Sequence, residues 1–141
     1  MDGQNELFAL CKKTGGTYMA YELRPYQKEC KDILDKTPTG NHLVVMATGL
    51  GKTVVMTHLK RNGRVLLLSH RDELVRQPEK YFDCSFGIEK AEEHAGDEEV
   101  VSASVQSLSR PGRMKRFAPD AFDTIIIDEA HHSAAKSYRA V

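Results

Sequence analysis

The sequence predicts an α/β fold in which helices cover both faces of a parallel sheet. Short, nearly continuous apolar runs at residues 43–46, 64–69, 100–104 and 122–127 alternate with segments of helical spacing. Such runs are typical of parallel strands that are buried on both faces. A glycine-containing loop follows the first run, and an acidic pair follows the last. Ligands of such sheets bind at the carboxyl ends of the strands.

The first regular element predicted along the chain is a helix. Residues 1–20 hold scattered glycines and one small apolar cluster, so we expect a loose extension there. Pro25 suits the first turn of a helix, and apolar side chains then repeat at helical spacing as far as Leu34. The Thr-Pro-Thr-Gly-Asn run at residues 37–41 ends this helix.

Residues 42–53 carry the strongest chemical signal, His-Leu-Val-Val-Met-Ala-Thr-Gly-Leu-Gly-Lys-Thr. We predict a buried strand, then a turn in which Gly49 and Gly51 permit positive φ, then a helix. A strand, a glycine turn and a helix start form a nest of backbone N–H groups that faces a phosphate. Lys52 supplies charge for the β and γ phosphates, and the Thr53 hydroxyl is placed to ligate Mg²⁺.

This phosphate loop departs from the usual pattern at one position. Met46 stands five residues before Gly51, where the first glycine is expected. A glycine turn without a ligand is the alternative, but the Lys-Thr pair directly after the glycines favours phosphate. The predicted phosphate-binding residues are Met46, Ala47, Thr48, Gly49, Leu50, Gly51, Lys52 and Thr53.

The segments that follow keep the same alternation. The helix after the loop should end near residue 61, and residues 64–69 should form a buried strand. Residues 71–77 start a second helix, which Pro78 should kink or stop.

Residues 83–99 are polar, with six carboxylates against one lysine from residue 89 onward. We expect a short edge strand near residues 86–90 and a solvated acidic loop. The rest of the chain predicts a strand, a helical turn, a strand and the start of a helix, at residues 100–104, 105–109, 122–127 and 133–141.

Asp128 and Glu129 directly follow the last predicted strand. Hydrolysis of a nucleoside triphosphate needs Mg²⁺ and an oriented water as well as a phosphate cradle. Asp128 could hold the metal through its hydration shell, and Glu129 could accept a proton from the attacking water. Two acidic residues that cap the next helix are the alternative. Because the phosphate loop lies upstream, the pair favours a triphosphatase.

Composition excludes several classes of protein. Twenty basic residues balance twenty acidic ones, so net charge indicates neither a nucleic-acid nor a membrane partner. Three widely spaced cysteines lack paired metal-ligand spacing and favour a reducing compartment. No apolar run approaches the ~20 residues of a membrane helix, and no signal peptide opens the chain. We therefore expect one soluble, cytoplasmic domain.

Two motifs together resemble a known family. Ala-Thr-Gly-Leu-Gly-Lys-Thr at residues 47–53, followed by Asp-Glu-Ala-His at residues 128–131, is similar to motifs I and II of DEAH-type superfamily-two helicases. The closest resemblance is to the helicase domain of type III restriction subunits and related DNA translocases, over residues 22–141. It implies a RecA-like P-loop fold and the cofactors ATP and Mg²⁺. It also implies catalytic roles for Lys52 and Glu129.

Three further segments match that family in order. Leu-Arg-Pro-Tyr-Gln at residues 23–27 is similar to the upstream glutamine motif, which implies that Gln27 reads the adenine edge and that Arg24 supports it. Residues 68–74 resemble motif Ia and residues 101–108 resemble motif Ib, and both contact a nucleic-acid backbone in the family. The residues that this implies for nucleic acid are His70, Arg71, Ser104, Gln106 and Arg110.

Each of these lesser assignments has an alternative. Gln27 could be an exposed helix residue, and His70 and Arg71 could cap a strand-to-helix turn. The basic residues 110–116 could form a solvated loop, which is the commoner fate of such a run. His131 and His132 invite a metal hypothesis, but coupling of the nucleotide site to nucleic acid is the better interpretation by resemblance.

The resemblance also implies parts that this sequence lacks. Motif III and a second RecA-like domain with an arginine finger follow motif II in the family. The motif III strand lies between the strands of motifs I and II, so its absence leaves two backbone edges unpaired. We expect an incomplete first RecA-like domain over residues 21–141, from a longer motor, that binds ATP weakly and cannot unwind DNA.

The sequence therefore predicts the ATP-binding N-terminal part of a nucleic-acid-dependent ATPase, a DNA helicase or translocase, with a restriction system as one setting. The alternative is a catalytically silent nucleotide-binding or interaction module. A P-loop kinase fits less well, because Asp-Glu-Ala-His after a strand suits a triphosphatase that activates water. DNA is preferred over RNA by family analogy alone.

Overall fold

The computed structural model describes residues 22–47, 49–129 and 141. The chain divides into two compact units, Met1–Lys60 and Arg61–Val141. The extension expected at residues 1–20 lies outside the described residues, as do His131, His132 and all but the last residue of the helix expected at residues 133–141.

The described part of the first unit contains two helices, α1 (Pro25–Lys36) and α2 (Lys52–His58). Arg24, in extended conformation, precedes α1, and Pro25 occupies its first turn as predicted. Thr37 ends the helix, and its N–H donates to the Leu34 carbonyl at 3.1 Å. The predicted helix after the phosphate loop is confirmed, although it ends at His58 and not near residue 61.

The strand predicted at residues 43–46 is wrong. The described part of the chain contains no strand there, and Leu43 and Val45 are 78% and 85% exposed. A strand is stable only when a neighbour pairs with its backbone and a packed layer covers its side chains. The sheet of the second unit has no member from this segment, so the apolar run alone does not make a strand.

The second unit is built on a four-stranded sheet that consists of β1 (Val65–Ser69), β2 (Phe86–Glu89), β3 (Val100–Ser104) and β4 (Thr124–Ile127). The strand order is β2-β3-β1-β4, and every pair is parallel. The predicted α/β class with a parallel sheet is thus confirmed, and so is the edge position of β2. The carboxyl ends of all four strands meet at one edge of the sheet.

Apolar side chains from β1 and β3 alternate between the two faces of the sheet. One face of the sheet carries an apolar cluster that includes Leu66, Leu68, Val101 and Ala103. The opposite face carries a second cluster that includes Val65, Leu67 and Val100. Both central strands are buried along their whole length. The edge strand β4 differs, because Ile125 is 58% exposed and Ile127 is 38% exposed. Coverage of both faces is therefore confirmed for the centre of the sheet but not for β4.

The helix expected at residues 71–77 is also wrong. Asp72–Leu74 forms a single 3₁₀ turn, and a second 3₁₀ turn spans Gln77–Tyr81, with Pro78 near its start. Proline has no N–H to donate, and it disfavours helical dihedrals in the residue before it. The short helix α3 (Val105–Leu108) appears where a helical turn was predicted. Within the described residues, no helix is both long and apolar enough to span a bilayer.

Candidate functional site

The phosphate loop takes the turn that its glycines permit. Gly49 and Gly51 have φ of 83° and 79°, in the left-handed region. The Leu50 N–H donates to the Ala47 carbonyl at 3.2 Å and closes the turn. The N–H of Val55 donates to the Gly51 carbonyl at 3.2 Å, which is the first hydrogen bond of α2. The predicted glycine turn and helix start are confirmed, whereas Thr48 lies outside the described residues.

The two glycines differ in their surroundings. A Cβ added to Gly49 would meet no atom of the described residues within 4 Å, which leaves space beside the backbone there. A Cβ added to Gly51 would lie 2.4 Å from Nε2 of Gln27, which is far inside a van der Waals contact. Gly51 therefore needs to be glycine for two reasons, its positive φ and the closeness of Gln27.

Gln27 connects the start of α1 to the phosphate loop. Its side chain is only 5% exposed, so the alternative of an exposed helix residue is wrong. Its Nε2 donates to the Leu50 carbonyl at 2.9 Å, and its Oε1 accepts from the Arg24 N–H at 2.9 Å. The structure therefore brings Gln27, which is predicted to read the adenine, into contact with the loop predicted for the phosphates, and Arg24 contacts Gln27.

Tyr26 is a contact that the sequence reasoning missed. Its hydroxyl donates to the Leu50 carbonyl at 3.0 Å and accepts from Nη1 of Arg24 at 3.3 Å. The Leu50 carbonyl thus accepts from two consecutive side chains of α1. The signal for Tyr26 in the sequence is its position between Arg24 and Gln27, the two residues of this motif that are predicted to act at the adenine.

The residues of the loop have the chemistry that a magnesium-bound triphosphate requires. Lys52 and Thr53 occupy the first turn of α2 and are partly exposed, as is Met46 just before the loop. In the described part of the chain, no group of three or more His, Cys, Asp or Glu side chains could hold a metal ion. Mg²⁺ fits the Thr53 hydroxyl of the loop, because this ion keeps several waters and usually binds one or two protein oxygens together with phosphate.

Asp128 lies at the carboxyl end of β4. Its N–H donates to the Leu68 carbonyl at 3.0 Å, which extends the pairing with β1 by one residue. Its Oδ1 accepts from the Glu129 N–H at 3.0 Å. Glu129 is exposed and has a φ of 57°, a left-handed conformation that is uncommon outside glycine. The strand therefore ends in a tight turn that presents both carboxylates near the sheet edge.

The segments that resemble motifs Ia and Ib meet at this same edge. Nε2 of Gln106 donates to the His70 carbonyl at 2.6 Å. The Ser104 hydroxyl donates to Oε1 of Gln106 at 3.1 Å and accepts from the Ser107 N–H at 3.3 Å, as the cap of α3. Ser104 is fully buried, so its predicted contact with nucleic acid would require the side chain to become accessible. Arg71, Gln106 and Arg110 are exposed, and their predicted contacts stay predictions.

A buried ion cluster lies at the end of β2, and the sequence reasoning missed it. The Glu89 side chain is fully buried. It accepts from the Ala95 N–H at 2.8 Å, from Nε of Arg113 at 2.6 Å and from Nη1 of Arg116 at 3.1 Å. The expected solvated acidic loop is therefore wrong for Glu89, and the solvated basic loop is wrong for Arg113, whose side chain is 12% exposed.

Two opposing effects act on the Glu89 carboxyl. Burial raises its pKa, because a charge loses hydration in the interior. The Ala95 N–H and the guanidinium groups of Arg113 and Arg116 favour the charged form more strongly, and the pKa lies below its ordinary value. Arg113 also donates to the Ala91 and Glu93 carbonyls. The cluster therefore joins the turn after β2 to the basic segment at residues 110–116.

Comparison with known families matches most of this chain. The family model described as "Type III restriction enzyme, res subunit" matches residues 20–141. IRC3 of Saccharomyces cerevisiae, provisionally named an ATP-dependent helicase, is 36% identical over 146 residues, which cover 88% of this chain and 21% of that protein. The irc3 protein of Schizosaccharomyces pombe, provisionally named a mitochondrial ATP-dependent helicase, is 34% identical over 160 residues, with coverage of 94% and 26%.

A bacterial protein is also similar. The type I restriction enzyme EcoAI endonuclease subunit of Escherichia coli is 34% identical over 108 residues, which cover 66% of this chain and 13% of that protein. The chain thus spans about a quarter or less of the length of these curated relatives. One relative carries a mitochondrial name, so the expected cytoplasmic location stays a prediction.

Proposed function

The chain belongs to the family of the type III restriction enzyme res subunit, and on that premise we propose that it is the ATP-binding part of a nucleic-acid-dependent ATPase. We place it in the DEAH branch of the superfamily-two helicases, because Asp-Glu-Ala-His stands at residues 128–131. One observation carries the proposal. A glycine turn with two left-handed residues leads into a helix that begins with Lys-Thr, and the buried Gln27 contacts that turn.

In the first unit, each loop residue has a proposed task. The backbone N–H groups of residues 47–53 bind the phosphates, and open space beside Gly49 admits them. Lys52 neutralises charge on the β and γ phosphates, and the Thr53 hydroxyl ligates Mg²⁺. Gln27, supported by Arg24, reads the adenine edge. Each end of its amide holds one protein atom, and we propose that the amide turns away from the Leu50 carbonyl when it pairs with the adenine edge.

In the second unit, the turn after β4 supplies the acidic groups. We propose that Asp128 holds Mg²⁺ through water and that Glu129 accepts the proton of the attacking water. Glu129 is suited to that task because it is exposed, and its backbone N–H donates to Oδ1 of Asp128. Mg²⁺, when bound, supplies charge stabilisation for the transferring phosphoryl group.

The nucleic-acid partner is proposed to bind at the carboxyl edge of the sheet. Arg71, Gln106 and Arg110 are exposed there or just beyond it, and charged and amide side chains of this kind contact phosphate oxygens. Arg113 is engaged with Glu89, so we assign no backbone contact to it. DNA is the proposed partner by family likeness.

Nucleotide binding and turnover test this proposal directly. Calorimetric titration of the folded 141-residue chain with ATP should show binding that requires Mg²⁺. Phosphate release should rise when single- or double-stranded DNA is added. Lys52→Ala should abolish both, and Glu129→Gln should keep binding but lose turnover.

Matched variants separate these effects from general damage. Lys60→Ala removes an exposed lysine just after α2, and Glu92→Gln removes an exposed carboxylate of the second unit. Both should behave as the unaltered chain. A flat titration with folded protein would refute the proposal, and ATP binding without any phosphate release would favour the silent nucleotide-binding module.

A further inference from the structure

The Leu50 carbonyl lies at the point of the phosphate loop where the backbone has most freedom. It sits between Gly49 and Gly51, both with left-handed φ. Glycine adopts positive and negative φ with similar ease, so the peptide between Leu50 and Gly51 can rotate at small backbone cost. In a planar trans peptide the Gly51 N–H points opposite to the Leu50 carbonyl. Whatever holds this carbonyl therefore also fixes the direction of one candidate phosphate donor.

Two side chains hold it. The Tyr26 hydroxyl donates at 3.0 Å and Nε2 of Gln27 donates at 2.9 Å. A carbonyl oxygen has two lone pairs, so it can accept both hydrogen bonds together. Both donors project from the first turn of α1, which Pro25 and the bond from the Arg24 N–H to Gln27 keep in place.

The two donors differ in what a nucleotide would do to them. Under the proposed function, on which this step rests, the Gln27 amide turns to the adenine base. Tyr26 is then the remaining donor to the Leu50 carbonyl among the described residues. We propose that Tyr26 is a positioning residue of the phosphate loop, which keeps the peptide between Leu50 and Gly51 in its phosphate-binding orientation while Gln27 is occupied by the base.

The test is a double-substitution cycle in the 141-residue chain. Tyr26→Phe removes one donor and Gln27→Met removes the other at similar volume. Binding of inorganic tripolyphosphate with Mg²⁺ is measured by calorimetry, because this ligand has no base. Either donor alone should suffice, so each single variant should change the dissociation constant by less than about twofold. The double variant should weaken binding about threefold to tenfold, the usual worth of a neutral hydrogen bond.

ATP should give a different pattern from tripolyphosphate. Because adenine draws Gln27 away, Tyr26→Phe alone should weaken Mg²⁺–ATP binding about threefold to tenfold. Tyr81→Phe, which removes a phenol hydroxyl in the second unit, is the matched control and should leave both affinities unchanged. If Tyr26→Phe lowers the affinity for tripolyphosphate equally in the unaltered chain and in the Gln27→Met variant, Tyr26 has a merely structural role and the inference is overturned. Loss confined to ATP in both backgrounds would mean that Tyr26 reads the base, which also overturns it.

A readout without ligand completes the test. Hydrogen exchange at the Gly51 amide, followed by NMR, should be faster in the double variant than in either single variant. An unchanged rate would overturn the inference. If the unaltered chain binds neither ATP nor tripolyphosphate, the proposed function fails, and the Gly51 amide still decides whether Tyr26 positions the loop.

Discussion

Two separate constraints require glycine at position 51. Its φ is positive, and Gln27 occupies the space that a side chain would need. We predict that Gly51→Ala weakens Mg²⁺–ATP binding by at least about tenfold, because Gln27 and the loop must move apart. Calorimetry with the folded variant measures this.

Gly40 offers the matched control for that substitution. Its φ is 90°, and a Cβ there would meet no atom of the part of the chain that the structure describes within 4 Å. Gly40→Ala therefore carries the same kind of backbone strain, about 1 kcal/mol of unfolding free energy, but no collision. Equal ATP affinity in the two variants would show that the closeness of Gln27 is unimportant.

Glu89 is the residue at which the second unit should be most sensitive to charge. Removing one member of a buried, hydrogen-bonded ion cluster leaves its partners uncompensated. We predict that Glu89→Gln lowers the free energy of unfolding by about 3 kcal/mol, measured by urea denaturation. Glu92→Gln, at an exposed position three residues on, should change it by less than about 0.5 kcal/mol. Similar values for both variants would contradict the role given to the cluster.

The same carboxyl predicts a dependence on pH. The pKa of Glu89 is lower in the folded protein than its ordinary value of about 4.3. Its stabilising contribution is therefore complete above that value and is lost as the pH falls toward the folded pKa. The unfolding free energy of the unaltered chain should drop more steeply below about pH 4 than that of Glu89→Gln. Parallel curves would argue against this assignment.

Residue roles could be predicted where a motif defines them and not where only folding brings them together. The glycines, Lys52 and Thr53 follow from local spacing alone. Glu89 lies in an acidic run that predicts a solvated loop, and the arginines that bury it are more than twenty positions away along the chain. Tyr26 was missed for a related reason, since its partner Leu50 lies 24 positions along the chain.

At the scale of elements, the pattern of apolar residues predicted the positions of three strands of the sheet well. The strands at residues 64–69, 100–104 and 122–127 all appear; the first starts one residue later than predicted, the second has the predicted bounds and the third starts two residues later. Each finds a parallel neighbour that satisfies its backbone. The run at residues 43–46 has an equally apolar pattern but no partner in the described sheet. Pattern therefore indicates which segments can become strands, and pairing decides which do.

Hydrogen exchange can test this difference between two apolar runs. We predict that the amides of residues 43–46 exchange nearly as fast as an unfolded chain, since no partner strand protects them in the described structure. The amides of β1 should exchange about a hundredfold slower or more. Mass spectrometry of peptides that cover each run measures both rates. Strong protection of residues 43–46 would show that this segment pairs after all.

At the scale of the whole molecule, the comparison with relatives limits what this chain can do alone. It spans 21% of the S. cerevisiae relative and 26% of the S. pombe one. We predict that the 141-residue chain binds Mg²⁺–ATP but does not separate DNA strands, because it spans only a small part of the length of these relatives. A strand-displacement assay with labelled duplex DNA measures this. Robust unwinding would contradict the prediction.

The hydrogen bond from the Asp128 N–H to the Leu68 carbonyl has a practical use. Leu68 lies two residues before His70. The same hydrogen bond therefore connects the backbone that leads into His70 to the turn that carries the acidic pair. The amide of Asp128 is therefore a built-in reporter. Its exchange rate will register any event that shifts the far end of β1, without a label on either segment.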